Sequence, residues 1–311
     1  MVVVVTPNPC VDKTLFIKEN RWGEKIPVRE VQEVAGGKGS NVSRVLKTWG
    51  EEVKHLLFLG GYTGSRVKEL LEEEKIDTYP VETESFTRVV TTVVDEKWQQ
   101  TVYFEPNPQV KDEELEDFIA CFWELEKEGE IFLFCGSVPS SIPSVYRELG
   151  KRVSSGKKII IDSRGEALRL ALDTSPWLLK MNWEEAETTW GRKIENQEDL
   201  KQFFDFISSP GSEKIILTRG EKGAILKDGG EIYFALSPQV RTVNPIGSGD
   251  AFLGAFVYAL QAGFNLVECL RWGVAAGACN ARVWDVCRLE KKEVEEMKEK
   301  VIVEDTITSL W

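Results

Sequence analysis

The chain has 311 residues, 42% of them apolar and 29% charged, a composition that can bury a sizeable core and excludes disordered and fibrous classes. Against 39 Lys and Arg stand 51 Asp and Glu, a formal charge of −12, so the broad positive field that nucleic-acid binding relies on is missing, and an anionic ligand must be held by a few placed groups. Six cysteines without a C-x-x-C pair and a single histidine give no zinc-like spacing and read as reduced cytosolic thiols, while no run approaches the ~18 apolar residues of a membrane span.

In chain order, Val2–Val5 is a short apolar run without a basic leader and predicts a buried first strand rather than a signal peptide. Thr14–Val34 is rich in β-branched and aromatic residues broken by turn residues, the pattern of a hairpin-like excursion. In Gly39–Trp49 the apolar Val42, Val45, Leu46 and Trp49 fall at i, i+3, i+4 and i+7, and Gly50 supplies the stop, so a helix is expected. His55–Leu59 predicts a strand in which His55, flanked by apolar residues, is structural. Arg88–Phe104 repeats the hairpin-like pattern, and the two excursions are expected to pair into a small β lid. Asp112–Glu130 reads as a surface helix, followed by strands at Ile131–Phe134, Lys158–Ile161, Trp177–Lys180, Lys214–Leu217 and Ala224–Leu226. A last helix is expected over Gly249–Ala262, closed by Gly263. Strands alternating with helix-prone stretches predict an α/β fold with a mainly parallel sheet covered on both faces, organised as one domain over residues 1–311 with lid excursions near 14–34 and 88–104.

Two glycine-rich turns open helices. Asn244-Pro245-Ile246-Gly247-Ser248-Gly249-Asp250 brings flexible backbone N–H groups and a carboxylate to a helix start, where amides and the helix dipole favour phosphate oxygens. Taken alone, the turn is better read as a plain capped helix start. Gly36-Gly37-Lys38-Gly39-Ser40-Asn41 is the second, adding a cation and an amide. Neither matches the Walker A loop or G-x-G-x-x-G, which argues against P-loop and dinucleotide-dehydrogenase readings.

Together with Thr6-Pro7-Asn8-Pro9-Cys10-Val11-Asp12, Gly60–Gly64, Thr87-Arg88, Gly136–Pro139, Asp162-Ser163, Lys180–Glu185, Thr218–Gly223 and Ala278–Ala281, these turns make the chain resemble the ribokinase-like (PfkB) carbohydrate kinases. It is similar in particular to the phosphosugar branch that contains 1-phosphofructokinase and tagatose-6-phosphate kinase. The resemblance runs over essentially the whole length. It implies a ribokinase-like three-layer sandwich with a β lid, and ATP-dependent, Mg²⁺-assisted phosphorylation of a ketohexose phosphate, fructose 1-phosphate first and tagatose 6-phosphate second.

The resemblance also implies roles. Asp250 is the expected general base, with Gly247, Ser248 and Gly249 donating backbone N–H groups to the transferring phosphoryl. Asp12, Gly36, Gly37 and Asn41 would hold sugar hydroxyls, and Lys38 and Arg88 the phosphate already on the sugar. Lys180 would lie near the nucleotide phosphates; Thr218, Gly220, Gly223 and Asn280 would border the nucleotide pocket. Asn182 and Glu185 match the family's N-x-x-E motif, with Glu185 reaching Mg²⁺ through water. Departures include Met181 between Lys180 and Asn182 where proline is usual, and Glu105-Pro106-Asn107-Pro108 after the lid strands in place of a glycine turn. A homodimer through the lid, a cytoplasmic location and no nucleic-acid or membrane partner complete the expectation. The alternatives are a kinase of an unphosphorylated sugar or nucleoside, and a non-catalytic sugar-phosphate-binding regulator.

Overall fold

A computed structural model describes residues 1–208, 212 and 214–306. The chain starts on β1 (Val2–Thr6), leaves the main sheet for β2 (Cys10–Ile17) and β3 (Val28–Gly36), and returns through α1 (Lys38–Thr48), β4 (Val53–Leu59), α2 (Gly61–Glu73) and β5 (Asp77–Glu82). A second departure, β6 (Arg88–Val94) and β7 (Gln100–Phe104), precedes α3 (Asp112–Glu126), β8 (Ile131–Cys135), α4 (Val145–Gly150), β9 (Lys158–Asp162), α5 (Gly165–Ala171) and β10 (Leu178–Asn182). The remainder is α6 (Trp183–Trp190), α7 (Gln197–Ile207), β11 (Lys214–Thr218), β12 (Ala224–Asp228), β13 (Glu231–Leu236), α8 (Ser248–Gln261), α9 (Leu266–Ala281), α10 (Lys291–Lys298) and β14 (Ile302–Glu304).

Ten of the described strands form one sheet in the order β14-β13-β12-β11-β10-β9-β8-β1-β4-β5. From β11 through β5 every neighbour is parallel, and β12, β13 and β14 extend it antiparallel at one side. Strand β1 shows why the sheet is covered twice. Val2 and Val4 join the core beneath α1, α8 and α9, whereas Val3 and Val5 join the core beneath α3, α4 and α7. Successive side chains of a strand point to opposite faces, so an all-apolar strand demands a layer on each side. The result is the three-layer α/β arrangement expected from the sequence. The acidic helix ends at Glu126, four residues before the expected Glu130, because Gly129 and Glu130 are the turn into β8, with the Gly129 N–H closing on Leu125 O at 3.0 Å.

The lid is a separate sheet of order β3-β2-β6-β7. Each excursion supplies an antiparallel pair, and the two are joined by a parallel ladder running from Cys10↔Arg88 to Phe16↔Val94. Its strands begin earlier than the expected excursion, at Cys10, so the lid grows directly out of the residues after β1. Phe16 and Trp98 close on Trp284, with ring centroids at 5.2 and 5.4 Å, and Trp284 donates its indole N–H to Gln32 Oε1 at 3.0 Å. These contacts tie the lid to the segment after α9.

Candidate active site

The parallel strands end together at Thr6, Cys135, Asp162, Asn182 and Thr218, below the lid. The carboxyl end of a parallel sheet is where α/β folds place ligands. Two glycine turns converge there through the packing of their helices. Gly254 of α8 lies against Val45 of α1, so closely that a Cβ at 254 would come within 2.7 Å of the Val45 Cβ. This approach brings Asn41 and Asp250 together: Asn41 Nδ2 donates to Asp250 Oδ2 at 2.7 Å.

At the first turn Gly37 has φ 103°, a backbone conformation closed to other residues at low cost. A Cβ on Gly39 would stand 1.8 Å from Thr6 Oγ1, which is itself held by His55 Nε2 at 2.8 Å. Burial pushes the His55 imidazole down to about 3, so the ring is neutral and structural. At the second turn Gly247 has φ 77°, with the Val286 side chain 2.2 Å from where its Cβ would be. Two of this turn's amides are engaged within it: Ser248 N–H donates to Pro245 O at 3.2 Å and Asp250 N–H to Gly247 O at 2.9 Å.

Between the turns lies a buried ladder of charge. Lys180 Nζ donates to Asp162 Oδ2 and Lys38 Nζ to Asp162 Oδ1, each at 2.6 Å; Lys38 also reaches Glu185 Oε1 at 2.7 Å. Asp162 is fully buried, and the two ammonium groups nevertheless hold its carboxyl below the usual range. Asp250 goes the other way. Burial, reinforced by the Asp162 charge, pushes it up to about 6, against the pull of Lys38, Lys180 and the Asn41 hydrogen bond. A carboxylate in that range is ionised at neutral pH yet can accept a proton from a reacting hydroxyl.

On one side of Asp250 opens a cavity of about 720 Å³ that includes Asp12, Gly37, Lys38, Asn41, Arg88 and Arg164 in its walls. Asn8 and Ser137 also border it, with Asn8 Nδ2 donating to Ser137 Oγ at 3.0 Å and to Asn107 Oδ1 at 2.8 Å. Burial raises the Asp12 carboxyl, opposed by the Arg44 charge. The Arg88 Nε is buried without a hydrogen-bond partner. On the other side a narrower cavity, about 180 Å³, is lined by Thr218, Gly220, Gly223, Ser248, Gly249 and Ala278 among others. Gly36, though not on the wall, packs on Asp12, with its would-be Cβ 2.9 Å from the Asp12 Cβ.

Most of the residues singled out in the sequence therefore meet at one place, with differences at Asn280 and Lys38. Asn280, expected to border the nucleotide pocket, does not line the narrower cavity: it is buried, donating to Ile246 O at 2.8 Å and Ser248 Oγ at 3.1 Å and accepting from Cys287 N–H at 2.8 Å, so it braces the second turn. Lys180 is likewise buried beneath that turn, its Nζ 3.3 Å from where a Gly249 Cβ would be. Lys38, expected at a sugar phosphate, has its ammonium between Asp162 and Glu185. Asn182 and Glu185 form a reciprocal helix cap, with Glu185 N–H to Asn182 Oδ1 at 2.8 Å and Asn182 N–H to Glu185 Oε2 at 3.0 Å. Among the described residues no group of three or more His, Cys, Asp or Glu could hold a metal ion. A hydrated Mg²⁺ carried mainly by phosphates fits such a donor set, whereas an all-protein cage does not. Sequence reasoning missed Arg164 and Arg44 and gave Asn8 no role beyond its place in a motif; an arginine directly after Asp162-Ser163 was the one local signal for the first of them.

The profile of the pfkB family carbohydrate kinases matches residues 5–288. A 1-phosphofructokinase of Bacillus subtilis (strain 168) is 30% identical over 312 aligned residues, covering all of both chains. Among solved structures, a Thermotoga maritima protein described as a possible 1-phosphofructokinase superposes with a TM-score of 0.89 at 22% identity, covering 98% of this chain and 99% of its own. The ribokinase of the same organism gives 0.76 at 22% identity over 96% and 99%. At those identities the two structures establish the ribokinase-like fold alone. The profile covers nearly the whole chain, and the two glycine turns, the buried Asp250 and the paired cavities are the parts a phosphotransferase needs. The chain belongs to the pfkB family of carbohydrate kinases.

Proposed function

We propose that this kinase transfers the γ-phosphoryl group of ATP to the free primary hydroxyl of fructose 1-phosphate, giving fructose 1,6-bisphosphate and ADP. The observation that carries the substrate class is Arg88: a guanidinium on the wall of the larger cavity whose buried Nε has no partner, in a chain of net charge −12. A buried donor without an acceptor is costly unless a ligand supplies one. A phosphate matches the planar fork of arginine in a way a neutral hydroxyl cannot. Arg164 on the same wall adds positive charge. The full-length relative named 1-phosphofructokinase supports fructose 1-phosphate as the particular acceptor.

In this reading Asp12, Asn41 and the Gly36–Gly37 backbone hold the sugar hydroxyls, Arg88 grips the existing phosphate, and Lys38 is released toward phosphate oxygens when ligands enter. Asp250 takes the proton as the acceptor oxygen forms its bond to the γ-phosphorus and the bond to the β-phosphate oxygen breaks. The N–H groups of Gly247 and Gly249, at the positive end of α8, stabilise the charge on the equatorial oxygens. Thr218, Gly220 and Gly223 border the nucleotide, while Asn280 braces the turn that Ser248 and Gly249 present to it. Mg²⁺ would neutralise the nucleotide phosphates, with Glu185 and Asn182 approaching it through water. The whole chain acts as one kinase domain.

Exposed apolar lid residues, Val31 and Phe104 among them, support self-association of two copies through the lid. Cysteines that are free among the described residues support a reducing, cytoplasmic setting.

An ADP-release assay with fructose 1-phosphate, fructose 6-phosphate, tagatose 6-phosphate, fructose and ribose tests the reading. Fructose 1-phosphate should give the highest kcat/KM. A preference for fructose would overturn the phosphosugar assignment, and no turnover with any acceptor would favour a sugar-phosphate-binding regulator.

A further inference from the structure

We propose that Arg44 is a positioning residue that fixes the orientation of the Asn41 amide and, through it, of the Asp250 carboxylate. The inference rests on the reading of Asp250 as the base. Arg44 is one turn along α1 from Asn41, so both side chains share a helix face. Its side chain is 3% exposed, and every guanidinium nitrogen is engaged. Nε donates to both Glu74 oxygens at 2.9 and 2.8 Å, Nη2 to Ala35 O at 3.0 Å, and Nη1 to Asn41 Oδ1 at 2.7 Å. Glu74 Oε1 also accepts from Arg288 Nη2 at 3.0 Å, so a second arginine helps to anchor the carboxylate that holds Arg44.

The chemistry of the donor set decides the rest. A guanidinium has five N–H groups and no acceptor, so only the oxygen end of the Asn41 amide can face it. The NH₂ end must then face Asp250, where it meets Oδ2 at 2.7 Å. Flipping Asn41 would oppose two acceptors at Asp250 and two donors at Arg44. Arg44 thereby excludes the flipped state, ties down one oxygen of Asp250, and leaves Oδ1 for an acceptor hydroxyl. Through Ala35 O the same guanidinium registers the start of the Gly36–Gly37 turn against α1. A hydrogen bond donated to a carboxylate favours its ionised form, so the link also bears on when Asp250 can act. The other groups facing Asp250 are Asp162 from β9, Lys180 from β10, Lys38 from α1, and the thiols Cys135 from β8 and Cys287 after α9. Arg44→Lys leaves all of these in place and keeps its own positive charge.

The test compares Arg44→Lys, Asn41→Ala, the double variant and Asp250→Asn, each checked for cooperative thermal unfolding, with the acceptor that gives the highest kcat/KM in the phosphosugar panel. A lysine cannot span Glu74, Asn41 and Ala35 at once. Arg44→Lys should lower kcat about tenfold or more with acceptor KM changed less than about threefold, and should move the acid limb of kcat/KM upward by roughly one pH unit. Asn41→Ala should move that limb the same way, and the double variant should lose no more in kcat than Asn41→Ala alone, because both cut one link. An unmoved acid limb in a folded Arg44→Lys protein, or losses that multiply in the double variant, would overturn the proposal. If Arg44→Lys does not fold, an unmoved limb in Asn41→Ala overturns it and an upward shift sustains it. Near-parental turnover in Asp250→Asn would instead remove the base reading itself. Loss of turnover there beside a parental pH profile in Arg44→Lys would remove only the role of Arg44.

Discussion

The two cavities adjoin Asp250 through its neighbours, Asn41 on the larger and Ser248 and Gly249 on the smaller, and their walls differ. The smaller cavity, where the nucleotide is proposed to bind, has four glycines and no Lys or Arg in its lining, beside Glu221, Gln239, Val240, Phe252 and Val274. The larger cavity, where the acceptor is proposed to bind, sets the charged and amide groups of Asp12, Lys38, Asn41, Arg88, Asn107 and Arg164 among apolar lining residues such as Val90 and Phe104. A ligand common to many kinases can be recognised by shape and by main-chain amides, whose positions the fold fixes. An acceptor particular to one enzyme has to be recognised by side chains that can change without disturbing the fold. Asp250 stands at the seam and should be the one residue whose loss is felt equally from either side.

The strongest way to break that comparison is Asp250→Asn. The amide keeps the shape but cannot take the proton, so kcat should fall roughly 10²–10⁴-fold, with KM for ATP and for the sugar phosphate both little changed. Turnover within about threefold of the parent, well short of that range, would show that the seam lies elsewhere.

Next in size, Arg88→Ala should strike one side only. Loss of a charge-assisted phosphate contact costs about 1.5–3 kcal/mol, so kcat/KM for fructose 1-phosphate should fall more than tenfold while KM for ATP stays put. Parallel measurement with fructose isolates the effect. Equal losses on fructose and fructose 1-phosphate would mean that Arg88 holds the lid rather than a phosphate.

The acid side of the pH profile sharpens the seam itself. With Asp250 pushed up to about 6, kcat/KM should fall tenfold for each unit of pH below that value, because the base must be ionised to act. The same shift has a stability counterpart of opposite sense. Its folded value lies above the ordinary 3.8, so the folded state binds this proton more tightly than the unfolded one. Ionised Asp250 therefore weakens the fold above about pH 6, and the penalty fades as pH falls toward the unfolded value. Asp250→Asn should thus be the more stable protein at pH 7, by on the order of 2–3 kcal/mol, with the advantage vanishing near pH 4. Denaturant unfolding of both proteins at the two pH values would measure it. A variant less stable than its parent at pH 7 would contradict the burial penalty.

The smallest expected effect is on the main-chain side. Gly220 has φ 57° and open space where a Cβ would go, so Gly220→Ala should cost only the left-handed penalty of about 1–2 kcal/mol. KM for ATP should rise by no more than about tenfold, with the sugar phosphate KM unmoved. Gly223 is the contrasting site, since its Cβ would be 1.9 Å from Ala235 O, and Gly223→Ala should impair folding rather than binding alone.

This division also explains what could be read from the chain. The sheet and its two coverings follow from alternation that is local, as in Val2–Val5, where neighbouring valines serve opposite layers. Both glycine turns are contiguous in sequence, so their helices and the placement of Asp250 were legible. The acceptor wall is not contiguous. Arg164 and Asn8 reach it from strand ends far apart in sequence, and nothing local distinguishes Arg44 from a solvated helix arginine. Lys38 was legible as a cation at the site but not as the partner of Asp162 and Glu185, because a charge finds its counter-ion only once the strands are ordered. Asn280 was legible as part of a motif, yet its side chain turns to the backbone of the second turn.

The lid carries a lesson for anyone who would cut or graft this enzyme. Its four strands come from two excursions far apart in the sequence, and the β2–β6 ladder is the seam that sets Asp12 beside Val90 and Cys10 beside Arg88. Neither hairpin could be lifted out as a cassette, since an isolated two-stranded ribbon is marginal in water. Substrate preference would therefore be a property inherited by both excursions jointly, and chimaeras that exchange one of them should lose the pocket while keeping the scaffold, whereas exchanging the pair should carry the preference across.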